Sequence, residues 1–267
     1  MAYSYNDIKE AYRKAGVTRG RVVLVKTDLR YLGAFESPKR KDILSAHFNA
    51  LADLVDLGVG TIVVQTHSTG LCNTDTPFDR QETPSERGVL TEFIRRQQGA
   101  VRSWHPFMSY AAVGAHADAI CTNVSRHSFG LETPKARMLD LDAMCLSIGL
   151  EPRKTCTYVH HMELLMGVPY RYTKEFSHPV VMPDGRIETQ PFYMFVWYRG
   201  MDLHRDGNRK LFRHLEKTGL TMRDAALGKG HVYGYSCPDF CKHAAKFFRD
   251  DIYGWTEREP AIRPYTV

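Results

Sequence analysis

The residues best placed for chemistry are Thr157, His160 and Glu163, spaced three apart along Thr157-Tyr-Val-His-His-Met-Glu163. Residues at that spacing share one face of a helix, so a hydroxyl, an imidazole and a carboxylate would line one wall. A carboxylate beside an imidazole fixes its tautomer and supports the imidazolium formed when the ring takes a proton. Near a helix start, the positive helix end lowers the pKa of His160 and keeps it a base near neutral pH. The same spacing also fits a helix capped by Thr157 with a His–Glu pair on its surface. His161 projects elsewhere and is the weaker candidate.

A second cluster, Arg102-Ser103-Trp104-His105-Pro106 through Ser109, combines a cation, two hydroxyls and an imidazole. Just ahead of a helix it would receive an anion such as a phosphate. An exposed polar turn is the competing reading. Cys237, Cys241 and His243, with His231 nearby, are numerous enough for zinc, but the Cys-x3-Cys spacing suits two core cysteines one helical turn apart. No Gly-x-Ser-x-Gly elbow, P-loop or His-Glu-x-x-His motif occurs. Gly228, Gly230 and Gly234 miss the dinucleotide spacing by one residue and read as a loop around a helix start.

The elements that must hold these residues follow an α/β pattern. Ser4 and Asp7 open a helix with Ile8, Ala11, Tyr12 and Ala15 on one face, stopped by Gly16. A buried strand over 21–26, an amphipathic helix over 41–57 and a strand over 61–66 form a parallel βαβ unit. Thr83-Pro84-Ser85-Glu86 reads as cap, first-turn proline and capping-box glutamate of a helix through Arg96. Residues 108–119 read as a buried helix, and Thr133-Pro134 opens another before a strand over 144–148. Val180 to Met182, a Pro183-Asp184-Gly185 turn and Ile187 to Tyr198 read as a hairpin, followed by helices near 206–218 and 237–251. The expected architecture is α/β: a single domain over 1–267 with a mixed β-sheet flanked by helices. It carries an N-terminal helix within 1–20 and a β-hairpin insertion at 175–200.

A chain of 267 residues buries a core without disulfide or metal staples. Its net charge of +6 comes with no basic run longer than Lys39-Arg40-Lys41, too short for a nucleic-acid stripe. No apolar stretch approaches the roughly 18 residues of a membrane span, and the first residues lack a secretory pattern. The six scattered cysteines read as free thiols of a cytoplasmic protein.

Several segments, in order and spacing, resemble the antibiotic N-acetyltransferase family, whose best-known members are the aminoglycoside 3-N-acetyltransferases. These are Gly60-Thr61, Pro77-Phe78-Asp79 with Thr83-Pro84-Ser85, and Gly88 with Glu92-Phe93-x-Arg95. Arg102-Ser103-x-His105-Pro106-x-x-Ser109 with Gly114 and Ala117 continues the series. Thr157-x-x-His160-x-x-Glu163 with Val168-Pro169-Tyr170 completes it. The resemblance runs from about Val22 to the C-terminus. It implies direct transfer of an acyl group from acetyl-coenzyme A or another acyl-coenzyme A to a small-molecule amine such as an amino sugar or aminoglycoside. Neither a metal nor a nucleic-acid or membrane partner is implied, and a homodimer is open to it. His160 matches the family's general base, Glu163 its orienting acid, and Thr157 stands with them. Thr27 and Asp28, together with Arg102, Ser103, His105 and Ser109, match the coenzyme A-binding loops.

The chain also departs from the family. Thr27-Asp28 stands where a hydroxyl pair is usual, 36–41 replaces a glycine pair, and Pro152-Arg-Lys-Thr-Cys156 lacks an acidic residue. A zinc-dependent hydrolase using His160, His161, Glu163 and the C-terminal cysteines, and a catalytically silent relative, remain as alternatives.

Overall fold

Strand β1 (Val22–Thr27) lies between β2 (Thr61–Gln65) and β5 (Met144–Ile148) and runs parallel to both. The connection from β1 to β2 is helix α2 (Arg40–Val55), as the βαβ reading expects. The computed structural model describes residues 2–263; the ends of the expected 1–267 domain, Met1 and 264–267, lie outside the described residues. Four antiparallel strands extend the sheet to the order β3-β4-β2-β1-β5-β9-β8. They are β3 (Val101–Arg102), β4 (Tyr110–Gly114), β8 (Arg223–Leu227) and β9 (Gly230–Ser236).

The central strands are apolar on both faces because helices cover both. Val23, Val25, Ile62 and Val64 pack under α1 (Tyr5–Lys14), α2 and α3 (Val89–Arg95). Val22, Leu24, Val63 and Cys145 face the other layer. That layer holds α4 (Ala117–Cys121), α5 (Pro134–Asp140), α7 (Tyr158–Leu165), α8 (Arg209–Thr218) and α9 (Cys237–Asp250). The short α6 (Pro152–Thr155) leads into α7. On this second face each parallel strand turns polar at its carboxyl end. Leu24 is followed two residues on by Lys26, Val63 by Gln65 and Cys145 by Ser147, all three buried. Ligands of α/β sheets bind outside strand carboxyl ends, and α7 begins over this belt.

Several expectations hold in detail. Ser4 and Asp7 form a reciprocal capping box on α1, and Thr133 caps α5 with Pro134 in its first turn. The hairpin is present as β6 (Arg171–Val181) and β7 (Ile187–Trp197), starting earlier than read because Thr173, Lys174 and Glu175 are exposed and hide the alternation.

Others are corrected. Residues 83–88 form a loop, and helix α3 starts only at Val89. The Glu86 carboxylate accepts from the Gly70 N–H (2.9 Å) and the Thr69 hydroxyl (3.0 Å) instead of closing a capping box. Residues 108–119 are not one helix. Tyr110–Gly114 is a strand paired with β2, because a short apolar run buried on both faces does not declare its period. Residues 228–234 do not lead into a helix; they turn and enter β9. Gly228, at φ +58°, lies so close to the Leu32 carbonyl that a Cβ would meet it at 2.1 Å. Among the described residues, no helix is long and apolar enough to cross a membrane.

Candidate active site

Helix α7 places His160 and Glu163 one turn apart. Nδ1 of His160 lies 2.7 Å from Oε2 of Glu163. A carboxylate only accepts, so at 2.7 Å Nδ1 carries the hydrogen and Nε2 keeps the lone pair; the donor Nη2 of Arg171, 3.3 Å from the same Nδ1, is the longer and weaker contact. Nε2 has no hydrogen-bond partner among the described residues, and the imidazole side chain is 28% exposed. Glu163 is fully buried. Its second oxygen accepts from the Tyr170 hydroxyl (2.9 Å), and Arg171 Nε lies 3.1 Å from the first. The Arg171 guanidinium is sandwiched near Trp197 and Trp255, 5.3 and 5.0 Å from their ring centres.

Burial pushes the Glu163 carboxyl up. The hydrogen bonds from His160 and Tyr170 and the charge of Arg171 outweigh it and hold the group ionised, below the usual range. Burial lowers the His160 pKa and Glu163 pulls it partly back, with Arg171 and Lys135 opposing. The direction matches the expectation from the helix start, but burial is the principal cause. His161, on another face, is buried, and its Nδ1 accepts weakly from the Gly130 N–H at 3.4 Å.

Thr157 sits at the helix start without capping it. Its hydroxyl oxygen accepts from Lys26 Nζ (3.0 Å) and from Gln65 Nε2 (3.2 Å), while Lys135 Nζ donates to its carbonyl. Two donors occupy both lone pairs, so the Thr157 O–H is left to donate elsewhere. The strand-end belt therefore orients this hydroxyl.

Thr27 and Asp28 line a cavity of about 520 Å³ with Arg30, Arg87 and Gly88. The Thr27 hydroxyl oxygen is buried with no hydrogen-bond partner among the described residues, a group ready for a ligand. Asp28 is occupied by Arg30, 2.8 and 2.6 Å from its two oxygens. Thr27 and Thr157 also share a smaller cavity of about 240 Å³.

None of Arg102, Ser103, His105 and Ser109 lines these two cavities. The helix start expected after them is absent, since a strand follows, and all four side chains are buried. Arg102 donates to the carbonyls of Thr66, Arg80 and Thr83 and to the hydroxyls of Thr66, Ser68 and Ser109. Ser103 Oγ accepts from the Tyr110 N–H, Ser109 donates to the Thr66 carbonyl, and His105 Nδ1 accepts from the Met108 N–H. This cluster fixes the loop that follows β2. Cys237 and Cys241 pack in the core, while His243 pairs with the Thr218 hydroxyl. No group of three metal-ligating side chains is found among the described residues.

Sequence reasoning missed Lys26, Gln65 and Arg171. The first two had a signal: a polar residue where the strand alternation calls for an apolar one.

Fold and site together define an α/β protein with a His160–Glu163 pair on α7, the helix whose Thr157 lines a cavity at the strand ends. A family model described as aminoglycoside 3-N-acetyltransferase matches residues 24–249, and the chain belongs to that family. The aminoglycoside N(3)-acetyltransferase VII of Streptomyces paromomycinus is 29% identical over 57% of this chain and 53% of its own length. The match thus spans about half of that relative. Two solved structures share the fold. "AAC-IIIb binary with CoASH" has TM-score 0.79 at 20% identity, covering 97% of this chain and 100% of that one. "AAC-VIa bound to Sisomicin" has TM-score 0.78 at 20% identity, covering 94% and 98%.

Replacing Arg102 by Ala strands several buried carbonyls and hydroxyls. It should lower the unfolding free energy by roughly 2–4 kcal/mol, measured by urea denaturation.

Proposed function

We propose that the chain is a coenzyme A-dependent N-acyltransferase acting on a primary amine of a small molecule, with His160 as general base. The observation that carries this reading is the 2.7 Å pairing of His160 with a buried, ionised Glu163, which leaves Nε2 as the acceptor. Family membership and the coenzyme A named in a structural neighbour's title support the donor.

Coenzyme A supplies the acyl group as a thioester, which needs no covalent enzyme intermediate. The chain's own residues do the rest. Nε2 of His160 takes the proton that makes the amine a nucleophile, and Glu163 steadies the charge gained by the ring; as the C–N bond forms the thioester C–S bond breaks, and the imidazolium returns its proton to the leaving thiolate. The Thr157 hydroxyl, with both lone pairs engaged, and Thr27 with the amides beside it donate to the carbonyl oxygen as negative charge grows there. The cavity of about 520 Å³ lined by Thr27, Asp28, Arg30 and Arg87 is where this reading seats the pantetheine arm and its phosphates. Arg102, Ser103, His105 and Ser109 act from behind this wall, holding the loop after β2. The acceptor class is an amino sugar or aminoglycoside amine, the substrate in the relatives' names.

His160→Ala should lower turnover by roughly 10²–10⁴-fold, with coenzyme A affinity little changed by calorimetry. His161→Ala should cost far less; the reverse order would move the base to His161. Glu163→Gln removes the charge that favours the imidazolium, so the His160 pKa should fall further. The acid limb of kcat should therefore move to lower pH than in the wild type, with the same acceptor. A limb moving to higher pH would contradict the pairing.

A further inference from the structure

The cavity of about 240 Å³ at the carboxyl ends of β1 and β2 is lined by Lys26, Thr27, Gln65, Arg87, Lys154 and Thr157, among others, and no acidic residue lines it. Lys154 comes from the stretch 152–156 that lacks an acid. Lys26 is 7% exposed, and its one hydrogen-bond partner among the described residues is the Thr157 hydroxyl. Among the described residues the Arg87 guanidinium donates only to the Thr69 hydroxyl, and Lys154 has no ion-pair partner. A second buried amine, Lys135, donates to the Thr157 carbonyl, and burial pushes its pKa well down. Nearby carboxylates are already engaged: Asp28 by Arg30, Glu86 by Thr69 and Gly70, Glu163 by His160, Tyr170 and Arg171.

A buried ammonium without a counter-ion is costly, and an apolar residue of the same length would be more stable there. Burial lowers the Lys26 pKa to about 8, a penalty that a bound anion would relieve. His67, 5% exposed with Nε2 unpartnered, lies within electrostatic range of the same cations. A polycationic acceptor would meet repulsion at this wall.

We propose that this cavity seats a carboxylate or phosphate carried by the reactants, so that they are anionic beside the reacting amine. The proposal rests on the acyl-transfer reading. The anion enters either on the acyl group, as in a dicarboxylic acyl thioester, or on the amine acceptor.

The test is thiol release by the full-length enzyme with acetyl- or succinyl-coenzyme A against glucosamine, glucosamine 6-phosphate and an aminoglycoside. One anionic pair should exceed the neutral acetyl–glucosamine pair by about tenfold or more in kcat/KM, the worth of one charged hydrogen bond. A gain with the succinyl thioester puts the anion on the acyl group, and a gain with the 6-phosphate puts it on the acceptor. Lys26→Met should remove most of that advantage, whereas Lys242→Met, an equal charge change at an exposed position, should keep it. Preference for acetyl-coenzyme A with glucosamine or with the aminoglycoside over every pair that carries an anion, or an advantage untouched by Lys26→Met, would overturn the proposal.

Succinate titration by calorimetry in saturating coenzyme A gives a second readout that needs no turnover. Binding should weaken about tenfold in Lys26→Met, and equal binding to both proteins would also overturn the proposal. If coenzyme A does not bind and no pair releases thiol, the acyl-transfer reading fails, while the succinate titration still decides the cavity's preference.

Discussion

The site is organised around the buried negative charge of Glu163. A carboxylate removed from water costs several kcal/mol unless charges and donors surround it. Here the partners come from three places along the chain. His160 lies one turn back on α7, Tyr170 and Arg171 begin the hairpin, and Trp197 and Trp255 stack about the guanidinium. The hairpin strand and the C-terminal segment are therefore not ornaments on the sheet. They hold the ion that holds the His160 ring.

A second constraint comes from the sheet. Its three parallel strands stop being apolar at the same level, and the side chains that appear there are Lys26, Gln65 and Ser147. Buried polar groups must be paired, and the start of α7 is what they pair with. Lys26 and Gln65 converge on the Thr157 hydroxyl, and Ser147 meets Thr155 in the preceding turn at 3.1 Å. One helix end thus receives its oxygen orientation from the sheet below and its histidine orientation from its own next turn. Of the two, Thr157 lines the cavity outside the strand ends.

Much of this was legible in the sequence where the signal is local. The capping residues Ser4, Asp7 and Thr133, the βαβ order and the spacing of His160 and Glu163 all depend on neighbours a few positions away. The failures share a different cause. Tyr110–Gly114 is too short and too uniformly apolar to reveal whether its period is 2 or 3.6. Thr83 to Glu86 has capping chemistry, but Glu86 finds a better use in the loop before it. The partners of Thr157 lie 131 and 92 residues away, and those of Arg102 across loops, so no spacing rule reaches them. Lys26 was visible only as a break in strand alternation, a signal that becomes chemical once the fold closes over it.

Burial keeps His160 a neutral ring, and Glu163 fixes the hydrogen of that ring on Nδ1. Nitrogen-15 NMR of labelled histidine side chains, with the His160 signals assigned by their loss in His160→Gln, tests it directly. At pH 7.5 the account predicts an Nδ1-protonated neutral imidazole with an unprotonated Nε2. A ring protonated on Nε2, or on both nitrogens at that pH, would contradict it.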